Sequence, residues 1–323
     1  MYKNYYFLGI GGIGMSAIAR YFNAKGAAVA GYDRVRSELC AELEAEGIDI
    51  HYVDDLNLID KKYFDKTQTL VIYTPAIPQE HTEYQYFKQQ GFRVLKRAEI
   101  LGEITKTERG LCVAGTHGKT SISTMTAHLF AQSSIGCSAF LGGISLNYGT
   151  NLLLNDKTFP KFRTLEKLEE KDFVVIEADE YDRSFHQLTP FMAVISATDA
   201  DHLDIYHTHA EYIAAFEKFA SLISDGGALV INKKIVDSGQ WSVINGKYST
   251  FTYSATDTTA DFHADNIKIE NGQLTFDFTA PSLTTNHLPL TIKNLVLGVP
   301  IFINVENAVA AMALAWLNGM SEE

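Results

Sequence analysis

Two short glycine loops, each wedged between an apolar strand and a helix, constrain this chain more than any other feature. Gly9-Ile10-Gly11-Gly12-Ile13-Gly14 ends the apolar run Tyr5–Ile10 and opens a helical stretch, Met15–Lys25. Gly115-Thr116-His117-Gly118-Lys119-Thr120 follows the apolar run Leu111–Ala114 and opens a second, Thr120–Ala131. A strand that runs through a glycine turn into a helix is the start of a β-α-β unit. Such units build parallel sheets with helices packed on their faces.

The rest of the chain repeats this rhythm. Ala27–Tyr32, Leu70–Tyr73 and Arg93–Lys96 read as strands, with helices at Leu39–Glu46 and Glu83–Gln90 between them. The polar stretch Thr105–Gly110 reads as a linker, after which the pattern restarts. Phe173–Ile176, Met192–Ser196 and Ala228–Asn232 are further strands, and Ala210–Ser221 is helical. Residues Ile267–Phe278 alternate apolar and polar about Asn271-Gly272, a hairpin signal. Val305–Leu317 is an Ala-rich apolar helix. The expected class is α/β: an N-terminal Rossmann-like parallel-sheet domain over residues 1–106, and a central phosphate-loop α/β domain over 107–323 with an added antiparallel piece.

A length of 323 residues fits two domains. The formal net charge of −12 argues against a broad basic surface for nucleic acid. It leaves room for a nucleotide enzyme, which holds phosphates with backbone N–H groups, one lysine and Mg²⁺. Cys40, Cys112 and Cys137 are far apart and lack metal-binding spacing, as in a reduced cytosolic protein. No apolar run approaches the ~18 residues of a membrane helix, and no signal peptide precedes the first strand. A cytoplasmic location without membrane insertion is expected; oligomeric state is not legible.

In the first loop, Gly9, Gly11 and Gly14 fit G-x-G-x-x-G. Glycine permits the tight turn, and the helix N-terminus favours a diphosphate. Asp33 closes the next strand, where a ribose-binding acid is expected. A nicotinamide dehydrogenase would explain this loop alone, as would a merely tight turn. The second loop is more informative. Lys119 is placed to reach the β- and γ-phosphates of ATP, and the Thr120 hydroxyl to bind Mg²⁺. Val113 stands where the longer phosphate-loop pattern has its first glycine. His117 either touches substrate or packs.

Two strand ends carry acids. Val174-Val175-Ile176 runs into Glu177, Asp179 and Glu180, and the Met192–Ser196 strand leads to Asp199, Asp201, His202 and Asp204. Ligands of open α/β sheets sit at the carboxyl ends of strands. Glu177, nearest its strand, is therefore the expected metal ligand; Asp179 and Glu180 are equally consistent with solvated loop acids. His202 fits a second metal position.

Together, G-I-G-G-I-G-M-S, G-T-H-G-K-T, E-A-D-E and D-H-L-D resemble the Mur ligase family across nearly the whole chain, and most of all its L-alanine-adding members. The resemblance implies an ATP- and Mg²⁺-dependent ligase of cell-wall precursor synthesis, joining L-alanine to the carboxylate of UDP-N-acetylmuramate through an acyl phosphate. The peptide-recycling branch is the alternative. It assigns the first loop to UDP, with backbone contacts from Gly12, Ile13 and Gly14; Gly11, Met15, Asp33 and Thr74 join the candidate substrate contacts. Gly115, Thr116, His117, Gly118, Lys119, Thr120 and Ser121 would hold ATP. Thr120, Glu177 and His202 would hold metal, with Lys119 and His202 catalytic. Asn304 and Asn307 match the adenine-side asparagines, although Phe302-Ile303 replaces the usual basic-His lead-in. It also implies a third, C-terminal domain beyond this chain, without which ligation is not expected.

Overall fold

The computed structural model describes residues 2–155, 172–241, 247–282 and 289–320. The first sheet is built from β1 (Asn4–Leu8), β2 (Ala28–Tyr32), β3 (Asp49–His51), β4 (Thr69–Tyr73) and β5 (Arg93–Lys96). Its order is β3-β2-β1-β4-β5, and every pairing is parallel. Helices α1 (Ile13–Ala24), α2 (Glu38–Ala45) and α3 (Thr82–Gln89) connect the strands. Because β1 lies between β2 and β4, successive connections depart from it in opposite directions. The crevice this opens at the carboxyl end of β1 holds the first glycine loop.

The second sheet has ten strands, in the order β15-β14-β13-β12-β11-β10-β6-β9-β7-β8. Its parallel centre comprises β6 (Arg109–Ala114), β9 (Phe173–Glu177), β10 (Met192–Ile195), β11 (Ala228–Asn232) and β12 (Ser249–Ser254). On one side β7 (Ser138–Ser145) pairs with β9 in parallel and with β8 (Thr150–Leu153) antiparallel. On the other, β13 (Phe262–Glu270), β14 (Gln273–Ala280) and β15 (Leu290–Leu297) form an antiparallel meander. The hairpin expected about Asn271-Gly272 is the β13–β14 turn, with both residues at positive φ. The antiparallel piece is thus continuous with the parallel sheet through the β12–β13 pair. The antiparallel β7–β8 edge carried no recognised sequence signal.

Side chains along β6 alternate between two cores. Leu111 and Val113 pack with α5 (Lys119–Gln132) and α9 (Ile303–Leu317) on one face. Cys112 and Ala114 pack on the other, in a cluster that includes Tyr212 and Phe216 of α7 (His209–Ala220). A strand covered on both faces reads as a continuous apolar run, which is why period-2 alternation is invisible in its sequence.

The expected linker is not one. Residues up to Thr107 belong to α4 (Arg97–Thr107), and β6 opens at Arg109. Ile100, Leu101 and Ile104 of α4 are buried in the cluster that also holds Phe7 and Ile18 of the first unit and Cys112 of the second. Each such side chain contributes roughly 1.5–3 kcal/mol of burial. Polar Thr105 and Glu108 are buried too. The Thr105 hydroxyl donates to Gly102 O and accepts from Thr189 N–H, while Glu108 accepts from Tyr21 and pairs with Lys25. Polarity here marks internal partners, not solvent. All three cysteines are free and buried.

Candidate functional site

The first loop is shaped by close approaches. Gly9 and Ile10 N–H both donate to Tyr32 O, at 2.8 and 3.1 Å. Gly9 has φ +84°, and a Cβ there would overlap the Thr74 methyl. Gly11 N–H donates to Asp33 Oδ2 at 2.8 Å, and Val35 N–H reaches Oδ1 at 3.2 Å. Asp33 thus spends both carboxylate oxygens on the loops around it. Gly12 is the N-cap of α1, so the N–H groups of Ile13 and Gly14 lie in the first turn, which a helix cannot satisfy internally. Ile13 is exposed, whereas the Met15 side chain is buried in the core. Asn151 of β8 donates to Ile13 O at 3.1 Å, so the second sheet reaches the first loop.

Arg97 stands beside this loop, and sequence reading missed it. A Cβ on Gly14 would lie 2.8 Å from Arg97 Cζ and overlap Nε. Arg97 Nε is buried and has no hydrogen-bond partner among the described residues. Burial pulls the guanidinium below the ordinary arginine value, opposed by the charges of Asp179 and Glu177. A cation therefore sits between the first glycine loop and the acidic end of β9. Only its position immediately after β5 could have flagged it.

The second loop is held rigidly. Gly115 has φ +136°, and a Cβ there would overlap Ser196 Oγ. The Ser196 hydroxyl sits against Ala114 O and His117 O, Thr116 N–H donates to Ala197 O at 3.0 Å, and Thr116 Oγ1 donates to Asp199 O at 3.0 Å. Gly118, at φ +84°, caps α5, leaving the first-turn N–H groups of Lys119, Thr120 and Ser121 at a helix N-terminus. Thr120 and Ser121 are exposed. His117 is exposed, with Nε2 4.0 Å from Asp199 Oδ2.

Lys119 Nζ donates to Gly115 O at 2.8 Å and to Glu180 Oε1 at 2.7 Å. Glu180 is only 1% exposed, and its Oε2 has no partner among the described residues. One of the two acids open to a solvated-loop reading is therefore a buried partner of the loop lysine; Asp179 is exposed, its Oδ1 accepting from Tyr181 N–H at 3.0 Å. Glu177 accepts from Gly142 N–H at 3.1 Å, and Gly143 of the same strand lies against Thr120. His202, at φ +49°, places Nε2 3.9 Å from Glu180 Oε1. Asp182 and Arg183, at +50° and +54°, share the left-handed region, so the backbone around Glu180 is strained. Among the described residues no three of His, Cys, Asp and Glu gather closely enough to hold a metal unaided. Glu177, Glu180 and the Thr120 hydroxyl are hard oxygen donors of the kind that Mg²⁺ prefers.

Beside the loop is a cavity of about 360 Å³, lined in part by His117, Gly118, Asn232, Lys234, Ile303 and Asn307. A Cβ on Gly118 would lie 2.7 Å from Asn307 Oδ1, and Asn307 donates to Asn304 Oδ1 at 3.2 Å. Asn307 thus faces the loop and the cavity, with Asn304 behind it. Ile303, 60% exposed, gives the cavity an apolar lip where a basic-His pair was expected.

A lysine-bearing glycine loop at one strand-to-helix junction, a G-x-G-x-x-G loop at another, and a shared core between them define an α/β fold of the nucleotide-binding type. A profile described as Mur ligase middle domain matches residues 113–315, and one described as Mur ligase family, catalytic domain, matches 4–109. The chain belongs to the Mur ligase family. It is 53% identical to the UDP-N-acetylmuramate–L-alanine ligase of Parabacteroides distasonis, over 98% of this chain and 64% of that protein. The ligase of that name from Porphyromonas gingivalis is 52% identical, over 99% and 65%. The crystal structure of UDP-N-acetylmuramate-alanine ligase from Thermotoga maritima superposes with a TM-score of 0.68 at 25% identity, covering 98% and 65%. The chain therefore spans about two thirds of the length of these relatives.

Proposed function

We propose that this chain forms the nucleotide-binding body of a ligase that joins L-alanine to the carboxylate of UDP-N-acetylmuramate at the expense of ATP. The observation that carries this reading is the juxtaposition at the loops. Lys119 and the exposed first turn of α5 present donors to a triphosphate. Gly12–Gly14 present donors to a diphosphate, and Arg97 stands between that loop and the end of β9. Residues 1–106 take the UDP-sugar and residues 107–323 take ATP, with the base in the cavity beside Asn307 and Ile303.

The chemistry asks the protein to hold two anions together. The sugar carboxylate attacks the γ-phosphorus, ADP leaves, and the amine of alanine displaces phosphate from the acyl phosphate. Lys119 offsets charge on the transferred group, and Arg97 offsets charge on the sugar nucleotide. The Thr120 hydroxyl and Glu177, with His202 and Glu180 nearby, would hold Mg²⁺, which would neutralise the phosphates further. Buried Gly115 and the clamp around Thr116 hold the loop in place, so little reorganisation accompanies binding.

Thermal melting tests the reading. A ligand that binds only the folded state raises the melting temperature by mass action. UDP-N-acetylmuramate and Mg·ATP are each expected to raise it, and NADH is not. A rise with NADH alone would return the first loop to a dehydrogenase role and sink the proposal.

A further inference from the structure

The ion pair between Lys119 and Glu180 cancels the only cation that the phosphate loop itself carries. We propose that Glu180 makes nucleotide binding conditional on a divalent cation, by denying a metal-free triphosphate the full charge of Lys119. This rests on the assignment of ATP to the second loop.

The physical case begins with the donors of Lys119. An ammonium has three. One is spent on Gly115 O and one on Glu180 Oε1, at 2.8 and 2.7 Å. One remains for phosphate, so Glu180 does not block the loop. Its effect is electrostatic. Glu180 is 1% exposed, so water screens its charge poorly and an approaching phosphate feels it. The strained turn holds it there, with Glu180 O accepting from Arg183 N–H at 3.0 Å and from the Tyr206 hydroxyl. The loop mouth also carries Glu177, with Asp199 and Asp201 on the adjoining segment. A bare polyanion meets a lysine already neutralised and carboxylates beyond it.

A divalent cation reverses this balance. Glu180 Oε2 is buried and has no partner among the described residues, which is costly for a carboxylate oxygen. A cation delivered with the triphosphate meets that oxygen, directly or through a water. The carboxylate that repels the bare nucleotide attracts the metal complex. A merely structural glutamate would hold the lysine without making affinity depend on the metal.

The test is calorimetric titration of the full chain with the β,γ-imido analogue of ATP, in Mg²⁺ and in excess EDTA. The readout is the ratio of the two dissociation constants. Wild type is expected to bind at least a hundred-fold more tightly with Mg²⁺. Glu180→Gln is close in shape and removes the charge. It is expected to bind the metal-free analogue about ten-fold more tightly than wild type and the Mg²⁺ complex more weakly, collapsing the ratio. Glu180→Asp keeps the charge and is expected to keep the dependence on Mg²⁺. Should Glu180→Gln fail to fold, Glu180→Ala removes the same charge and is read in the same way. An unchanged ratio in the charge-removing variant overturns the inference while leaving the ATP assignment intact. Absence of Mg²⁺-analogue binding by wild type overturns both.

Discussion

Arg97 packs against Gly14 so closely that a Cβ on the glycine would overlap its Nε. This contact joins the end of the first sheet to the loop that opens α1, and it makes the last glycine of the loop a partner of a buried cation. Gly14→Ala is expected to push the guanidinium aside. The melting-temperature rise produced by UDP-N-acetylmuramate should fall by an amount equal to about a ten-fold loss of affinity. The unliganded protein should lose only about 1 kcal/mol, since an arginine terminus can shift. An undiminished rise would remove Arg97 from the sugar-nucleotide site.

Lys119 supports the unliganded fold through its pair with Glu180. Lys119→Met leaves the buried Glu180 carboxylate without its cation, and breaking a buried pair from one side is costly. Urea denaturation should show a loss of about 2–4 kcal/mol without nucleotide. The double variant Lys119→Met/Glu180→Gln should recover most of it. No recovery would show that the two side chains are not energetically coupled.

A pH-dependent penalty lies in the first unit. Glu83 on α3 is fully buried, accepting from the Tyr6 hydroxyl at 2.6 Å and lying 2.8 Å from His51 Nε2. Burial raises its carboxyl to about 7 and lowers the His51 value, so both directions favour a neutral pair over an ion pair. A carboxyl with a raised folded-state value is penalised where it must ionise. The cost is absent below the unfolded value near 4.5, grows as pH rises towards 7 and is full above it. Glu83→Gln keeps an acceptor for Tyr6 and a donor for His51 but does not titrate. It should be more stable than wild type by about 1–3 kcal/mol at pH 8, with the gain shrinking several-fold by pH 5. Equal differences at both pH values would refute this.

Glu306 ties the last helix to the sheet. Its Oε1 accepts from Asn232 Nδ2 and its Oε2 from Ala255 N–H, both at 2.7 Å, and it also lines the cavity beside the second loop. Glu306→Gln places an amide donor against one of these donors and should cost about 2 kcal/mol in chemical denaturation. Affinity for the ATP analogue should fall with it, because Asn307 is the next residue. Loss of stability without loss of affinity would separate the tether from the nucleotide site.

Most of the parallel strands, though not β3, β7 or β12, and both loops were legible because their signals are local. Apolar runs ending in glycine turns appear where the structure has β1–α1 and β6–α5, within a few residues. The Asn271-Gly272 hairpin was legible for the same reason. Polar Thr105 and Glu108 misled, because their partners Thr189, Tyr21 and Lys25 are remote in sequence. Asp33 is a loop brace by its hydrogen bonds, and Met15 is a core side chain. A motif lists such positions but does not say which way each side chain points.

By itself the sequence determined where the glycine loops turn from strand into helix: glycine sterics and strand-to-helix junctions are properties of a few consecutive residues. Tertiary structure alone decided what surrounds those places. It brought Glu180 to Lys119 across 61 residues, set Arg97 against Gly14, and made α4 a shared wall where a linker was expected. Glu180, and not its neighbour Asp179, is the lysine's partner, just ahead of a left-handed kink at Asp182 and Arg183. Charge partnerships and burial are set by the crossing of distant elements, so they exist only once the two sheets have packed.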